Sequence, residues 1–152
     1  MNANEQFGQY VRKVNAIFAE EIKAALVRLG EDSEAVARES HPNDFNDISG
    51  NLRSSIGYGV YENGRLVAMS AFRVVLNGSV GASKGASMAQ SMASQFNESY
   101  HLALLAAMDY AEKVEAVNNK DVIASAELYA MRNMENYLRE AVQRAENGCN
   151  AL

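Results

Sequence analysis

Residues 49–75 read SGNLRSSIGYGVYENGRLVAMSAFRVV, and this stretch decides the fold. Gly57 and Gly59 alternate with apolar residues, which is the period of two expected for a strand with one apolar face. Asn63 and Gly64 then separate two apolar runs, and both residue types tolerate the positive φ of a type I′ turn. The stretch therefore predicts a central β-hairpin. Because an isolated two-stranded ribbon is marginally stable in water, the rest of the chain must cover it.

Two amphipathic helices are predicted at the ends of the chain. From Asn4 to Leu29 apolar residues recur at i, i+3, i+4 and i+7, and Gly30 is expected to end this helix. A second, shorter helix is predicted over 31–39. The last helix is expected to be capped by Ser125, to run to about Glu146 and to end at Gly148. The first helix is interpreted as lying on the sheet. The alternative is a partner-binding helix long enough to reach a neighbouring subunit.

Shorter elements are predicted between these helices. The nearly continuous apolar run from Tyr100 to Met108 indicates a central strand covered on both faces. The remaining expectations are a loop over 41–48, one helical turn over 51–54, about two turns over 109–115, a turn over 118–121 and a short strand at Val122–Ile123. The order predicts a single α+β domain over residues 1–152. Its small, mainly antiparallel sheet has about four strands, and long N- and C-terminal helices pack on it.

Residues 77–99 are rich in Gly, Ala and Ser and are predicted to be a flexible or inserted segment. Within it, Ala89, Met92 and Phe96 lie at helical spacing, so a short helix is expected from about Ala86 to Phe96, with a solvated loop as the alternative. Its methionines would make an adaptable surface.

Composition limits the classes of partner. The 152 residues carry a net charge of −5, which argues against broad binding to nucleic acid or anionic lipid because no basic field is present. No signal peptide is visible at the first residues and no apolar run has the length of a membrane span, so synthesis in a cytoplasm is expected. Cys149 is the single cysteine and cannot form an internal disulfide.

Motifs for catalysis and metal binding are weak. Gly81–Gly85 matches the G-x-S-x-G string, but catalysis by Ser83 would need a strand-to-helix turn with an acid and a histidine placed further along. His41 and His101 lie in different elements, and Asp44 and Asp47 lack the calcium-loop spacing. The paired glycines 57 and 59 lack the third glycine of a dinucleotide loop. No catalytic, metal or cofactor residues are therefore predicted, and a small hydrolase using Ser83 remains an alternative.

Two stretches resemble a known family. Ser49-Gly50-Asn51-Leu52-Arg53-Ser54-Ser55-Ile56 resembles the T/S-G-x-L-x-x-S-I signature of a tail-component family of long-tailed double-stranded DNA bacteriophages. Residues 110–115, YAEKVE, resemble that family's Y-A-x-x-V-E turn. The order of elements agrees, and the resemblance covers about 35–129. After Val117 the chain has Asn118-Asn119 where the family often has G-T.

The resemblance implies a tail-completion or head–tail connector protein of the virion, made in the host cytoplasm and working as a ring without catalysis. The implied partners are copies of itself and other neck or tail proteins, with neither a membrane nor a small-molecule substrate. The acidic balance adds the hypothesis that DNA passes through the lumen of the ring without sticking. Related alternatives are a tail terminator or a head-completion stopper. A non-viral, helix-rich adaptor or regulatory module is the alternative outside the virus.

Roles for individual residues follow from the motifs. Ser49 and Ser55 can hydrogen-bond the turn around Leu52, Leu52 and Ile56 can anchor it, and Gly50 can take unusual backbone angles. Tyr110 is expected to pack its ring and offer its hydroxyl to a partner. The candidate oligomer or partner contacts are Arg53, Tyr110, Glu115, Met88, Met92 and Phe96.

Overall fold

A computed structural model describes residues 1–39, 49–111 and 122–152. Its main elements are two long helices and an antiparallel sheet. The helices are α1 (Ala3–Glu39), α2 (Asn51–Ser54), α3 (Ser79–Ser91) and α4 (Ala124–Asn150), with a 3-10 helix at Met92–Gln95. The described strands are β1 (Ile56–Glu62), β2 (Arg65–Met69) and β3 (Tyr100–Ala106). This is an α+β fold with long terminal helices, as predicted from the sequence.

The sheet has the order β2-β1-β3, and both neighbouring pairs are antiparallel. Between β1 and β2, Asn63 and Gly64 have φ values of 49° and 80°. Val60 pairs with Ala68 and Tyr61 with Leu66, so Val67 is an extra residue that forms a bulge in β2. The described residues contribute three strands to this sheet, where about four were expected.

Among the described strands, β3 lies at an edge of the sheet, where a central strand was predicted. Strand β1 takes the centre, and its first six residues are buried. In β3 only Leu105 is fully buried. A continuous apolar run is expected for a central strand whose two faces are covered. It is equally expected for an edge strand whose side chains pack against neighbouring helices. Composition alone could not separate these two cases.

Helix α1 continues unbroken through Gly30, so the predicted end at this glycine and the separate second helix were wrong. A Cβ atom at Gly30 would lie 2.6 Å from the ring of Tyr58. The glycine therefore permits close contact between α1 and β1. At about 1.5 Å per residue, the helix is roughly 55 Å long.

Helix α4 begins at Ala124 and runs through Gly148 to Asn150. Ser125 is thus its second residue, not its cap, and Val122 and Ile123 form a bend that leads into the helix, not a strand. The predicted cap at Ser125, the predicted helix end at Gly148 and the predicted strand at Val122–Ile123 were therefore wrong. Val122 is fully buried, so its apolar character served the core instead of a ladder of backbone hydrogen bonds.

Helix α3 covers the sheet face opposite to α1. It begins at Ser79, earlier than the predicted helix, and occupies most of the residues expected to form a mobile connection. Gly81, Gly85 and Ala89 are buried at intervals of four residues. They form one small-residue stripe that lets α3 approach α2 and Phe72 closely.

The core occupies both faces of the sheet. On one face Leu26 of α1 packs with Tyr58 and Val60, and Leu138 of α4 joins this cluster. On the other face Phe72 packs with Ala89 and Leu105. Among the described residues, no helix is long and apolar enough to cross a membrane.

Several predictions fall on residues outside the described ranges. They are the loop over 41–48, the greater part of the helical turns over 109–115 and the turn over 118–121.

Candidate interaction surface

The first family-like motif forms a tight junction ahead of β1. Gly50 has φ 80° and ψ 0°, the left-handed conformation that glycine adopts without strain. The Asn51 N–H donates to Ser49 Oγ at 3.2 Å, and Ser55 Oγ donates to the Leu52 carbonyl at 2.7 Å. Leu52 and Ile56 are buried in one cluster. The predicted structural roles of these residues agree with this geometry.

This junction also joins two distant segments, a role that sequence reasoning missed. The Asn51 side-chain oxygen accepts the Gly81 N–H at 3.0 Å and so holds α3. Ser54 Oγ accepts the Val75 N–H at 2.8 Å and holds the chain that follows β2. Both partners lie more than twenty residues away, and the only signal in the sequence was a cluster of short polar side chains.

The candidate contacts of the 77–99 segment separate into two environments. Met88 is exposed on α3, whereas Met92 packs against the cluster of Phe72, Ala89 and Leu105. The Phe96 ring lies between two others, with its centroid 4.7 Å from that of Tyr61 and 4.9 Å from that of His101. Of these candidates, Met88 is the one whose side chain is open to a partner.

The other candidate contacts are Arg53, Tyr110 and Glu115, and the two of them that the structure describes do not form one surface with Met88, Met92 and Phe96. Tyr110 is about two-fifths exposed, at 40%, and Arg53 is a partly buried residue of α2. Both make interactions within the chain. Glu115 lies outside the described residues, as do His41, Asp44 and Asp47.

Helices α1 and α4 run antiparallel. Tyr137 donates a hydrogen bond to Asp32, and Arg144 Nε lies 2.9 Å from Glu21 Oε2. A Cβ at Gly148 would be 3.2 Å from Ile17. As α4 ends at Asn150, α1 residues before about residue 13 run past its end.

These projecting residues, 3–12, are called the N-terminal arm. Phe7 is 69% exposed and Tyr10 is 50% exposed, and Val11 is also open to solvent. The arm is helical as a continuation of α1, without α4 beside it. Single exposed apolar side chains are ordinary, but three within five residues of a projecting helix form an unpartnered apolar face.

A second apolar surface lies between β3 and α4. A groove of about 360 Å³ is lined mainly by Leu102, Leu104, Ala130, Met131 and Met134. Met131 is 78% exposed, and Leu128 one turn earlier is also open to solvent. Part of the apolar side of α4 therefore faces this groove, while the alanines of α4 make the buried contacts.

A polar cleft lies at the other end of α1. Arg38 Nε is 2.9 Å from Glu34 Oε1, and the guanidinium donates to the carbonyls of Ile56 at 2.8 Å and Arg73 at 3.1 Å. Burial and, to a lesser extent, the nearby carboxylates of Glu31 and Glu34 together raise the pKa of the Tyr58 phenol to about 12. The Arg38 guanidinium, paired with Glu34 and bonded to the two backbone carbonyls, therefore joins α1 to the sheet.

The G-x-S-x-G string does not form a strand-to-helix turn. Ser83 lies on the exposed side within α3, between the buried Gly81 and Gly85. His101 is the second residue of β3, and its Nε2 hydrogen-bonds the Glu98 carbonyl at 2.6 Å. Within the described ranges, no three His, Cys, Asp or Glu side chains gather closely enough to hold a metal ion.

Comparisons of the chain with known protein families, with curated proteins and with solved structures found no match.

Proposed function

We propose that the chain is a bacteriophage virion structural protein, a tail-completion or head–tail connector component that assembles as a ring in the neck or tail. The family resemblance of residues 49–56 and 110–115 suggests the viral setting. The observation that carries the assembly role is the N-terminal arm, with Phe7 and Tyr10 at 69% and 50% exposure. A helix that projects past its neighbour with an open apolar face is suited to packing on another protein.

The ring is built by heterologous contacts, in which different surfaces of two copies meet. The arm lies at one end of the α1–α4 pair, and the β3–α4 groove lies beside the sheet, so the two apolar surfaces belong to different parts of the chain. Contacts of this kind close into a ring when the rotation between neighbours closes, and otherwise continue as a filament. Met88 on the exposed side of α3 is a further candidate for such a boundary.

The mass of the purified chain in solution tests this proposal. Light scattering after size exclusion is expected to give one species of several copies. The double substitution Phe7→Ser/Tyr10→Ser should shift that species toward monomer while the circular dichroism of the fold is retained. Gln9→Ser, an exposed polar change on the same arm, is the matched control and should leave the mass unchanged.

A monomer at high concentration, together with a monomer in assembled particles, would overturn the ring. Assembly with one soluble non-viral partner in place of self-assembly would favour the adaptor alternative.

A further inference from the structure

The outer edge of β3 is the less protected edge of the sheet. Its seven residues, YHLALLA, contain no acidic residue, lysine, arginine or proline, and its register with β1 is regular. No strand among the described residues pairs with its other side. Natural edges are commonly blunted by charges, proline or bulges, and β2 has both Arg65 and the bulge at Val67. Strand β3 has none of these.

The backbone groups on this edge can be assigned. The Ser70 N–H donates to the Tyr58 carbonyl at 2.9 Å, so Tyr58 directs its backbone toward the β2 side of the sheet. Backbone direction alternates along a strand, hence Gly57 and Gly59 face β3. Their register partners are Leu105 and Ala103. Leu102 and Leu104 therefore direct their N–H and C=O groups outward, where only another extended chain can pair with them in a ladder.

Apolar surface borders the same edge. Leu102 and Leu104 line the groove that α4 completes with Met131 and Met134. A strand placed against β3 would cover this groove with its side chains while its backbone extends the sheet. One occupant would then pair with the outward backbone groups of β3 and also bury the apolar groove.

The charged residues beside the two edge strands indicate which strand would pair with β3. Glu98 precedes β3 and Asp109 follows it, and both are exposed. Arg65 opens β2 and Arg73 follows it, and both are exposed as well. Lys84 lies 3.7 Å from Asp109, but this carboxylate side chain is 93% exposed and remains open to a further cation.

The charges also lie at matching ends of the sheet. Glu62 of β1 pairs with Arg65 on one side and with Tyr100 on the other. Glu98 and Arg65 are thus at the hairpin end, and Asp109 and Arg73 are at the opposite end. One edge is flanked by two acids and the other edge by two bases, in the same order.

We propose that the β3 edge of one copy pairs in parallel with the β2 edge of a second copy, which continues the sheet across the subunit boundary. Glu98 then meets Arg65 of the second copy, and Asp109 meets its Arg73. Antiparallel pairing of β3 with itself would instead bring Glu98 close to Asp109 of the other copy, which like-charge repulsion disfavours. The bulge at Val67 interrupts the ladder at one position and leaves paired residues on both sides.

This inference rests on the proposed ring and specifies one contact within it, separate from any contact of the N-terminal arm. The pairing is head-to-tail, because each copy offers a different edge to each neighbour. Each of the two edges is used once per copy, so a closed ring would leave neither exposed.

Charge reversal tests the contact. Arg65→Glu and Glu98→Arg are each expected to weaken association by roughly tenfold or more, since each places like charges together at every boundary. The combined Arg65→Glu/Glu98→Arg chain restores opposite charges and is expected to assemble as the unmodified chain does. Glu140→Arg, an exposed reversal on α4, is the matched control and should not change the mass. Light scattering and sedimentation velocity at about 0.15 M salt provide the readout.

The outcomes separate this inference from the ring itself. If the unmodified chain assembles and both single reversals assemble equally well, the β2–β3 contact is wrong and the ring stands. An unmodified chain that is monomeric both at high concentration and in assembled particles overturns both. Single reversals that dissociate without recovery in the combined chain also contradict direct pairing of these two residues. Retained circular dichroism in every variant shows that a loss of mass is not unfolding.

Discussion

At the scale of single residues, close packing accounts for composition that would otherwise suggest a loop. Gly81 lies so near α2 that a Cβ atom would fall 1.9 Å from the Asn51 carbonyl oxygen. Gly85 faces Phe72, where a Cβ would fall 2.4 Å from the ring. Glycine lowers the intrinsic helix propensity of α3, but the close contacts that these glycines permit with α2 and Phe72 compensate for this loss.

Substitution of Gly81 tests this account. Gly81→Ala is expected to lower the free energy of unfolding by about 2 kcal/mol, because the backbone oxygen it meets cannot move without shifting α2. Gly8→Ala is the control: it is also a helical glycine, but the nearest atom to its Cβ is 3.6 Å away at the end of Arg12. That change should leave stability unaltered or raise it by up to about 1 kcal/mol. Urea denaturation measures both, and equal effects would refute the packing argument.

The buried phenol of Tyr58 makes stability sensitive to alkaline pH. Burial, together with the nearby carboxylates of Glu31 and Glu34, raises its pKa to about 12, above the ordinary value of 10.0, so the folded state holds this proton more tightly than the unfolded state. The corresponding stabilisation is fully present below pH 10 and is lost as pH rises from about 10 to about 12. Tyr58→Phe should flatten the fall in unfolding free energy over that interval, measured by denaturation at several pH values. A parallel fall in both proteins would show that Tyr58 is not its source.

At the scale of elements, α1 has two parts with different support. From about Ile17 to Asp32 it contacts α4 through Glu21 and Asp32, whereas the N-terminal arm has no α4 beside it. Helical hydrogen bonds without tertiary packing open readily, because isolated short helices are marginal in water.

Hydrogen exchange is expected to distinguish these two parts. In dilute monomer, amides of residues 3–12 should exchange at least about a hundredfold faster than those of 20–37. Assembly should slow exchange in the arm if neighbouring copies cover it. Mass spectrometry of peptides from the two regions gives the comparison, and the end of α4 provides an internal reference. Equally slow exchange throughout α1 in the monomer would contradict the unsupported arm.

At the scale of the whole molecule, the acidic balance constrains what a ring could hold. A net charge of −5 per copy gives an assembled ring a large negative charge. If acidic side chains line the lumen, phosphates are repelled and DNA could pass without adhering.

Binding to DNA is therefore expected to be weak. Fluorescence anisotropy with a labelled duplex at about 0.15 M salt should give a dissociation constant weaker than about 10⁻⁴ M, the weak end of ordinary non-specific binding. A basic DNA-binding protein in the same buffer serves as the positive control. Tight binding that weakens steeply with added salt would reveal a basic surface and would contradict an acidic lumen.

The sequence by itself determined the features that depend on neighbouring residues. Periodicity located both terminal helices, residues 51–54 formed the expected helical turn, and Gly50 adopted the unusual backbone angles expected of it. Local patterns determine such features because helix periodicity and turn preference act within a few residues.

Only the tertiary structure decided how these parts meet. Helix α1 runs on through Gly30, where the missing side chain leaves room for the ring of Tyr58. The small residues of α3 form a helix because α2 lies against them. Strand β3 is an edge among the described strands, although its apolar run resembles that of a buried strand. Each outcome depends on which surface comes within a few ångströms of a residue distant in the chain, and a local pattern does not contain that information. The edges and the arm from which the assembly is inferred are set at this level.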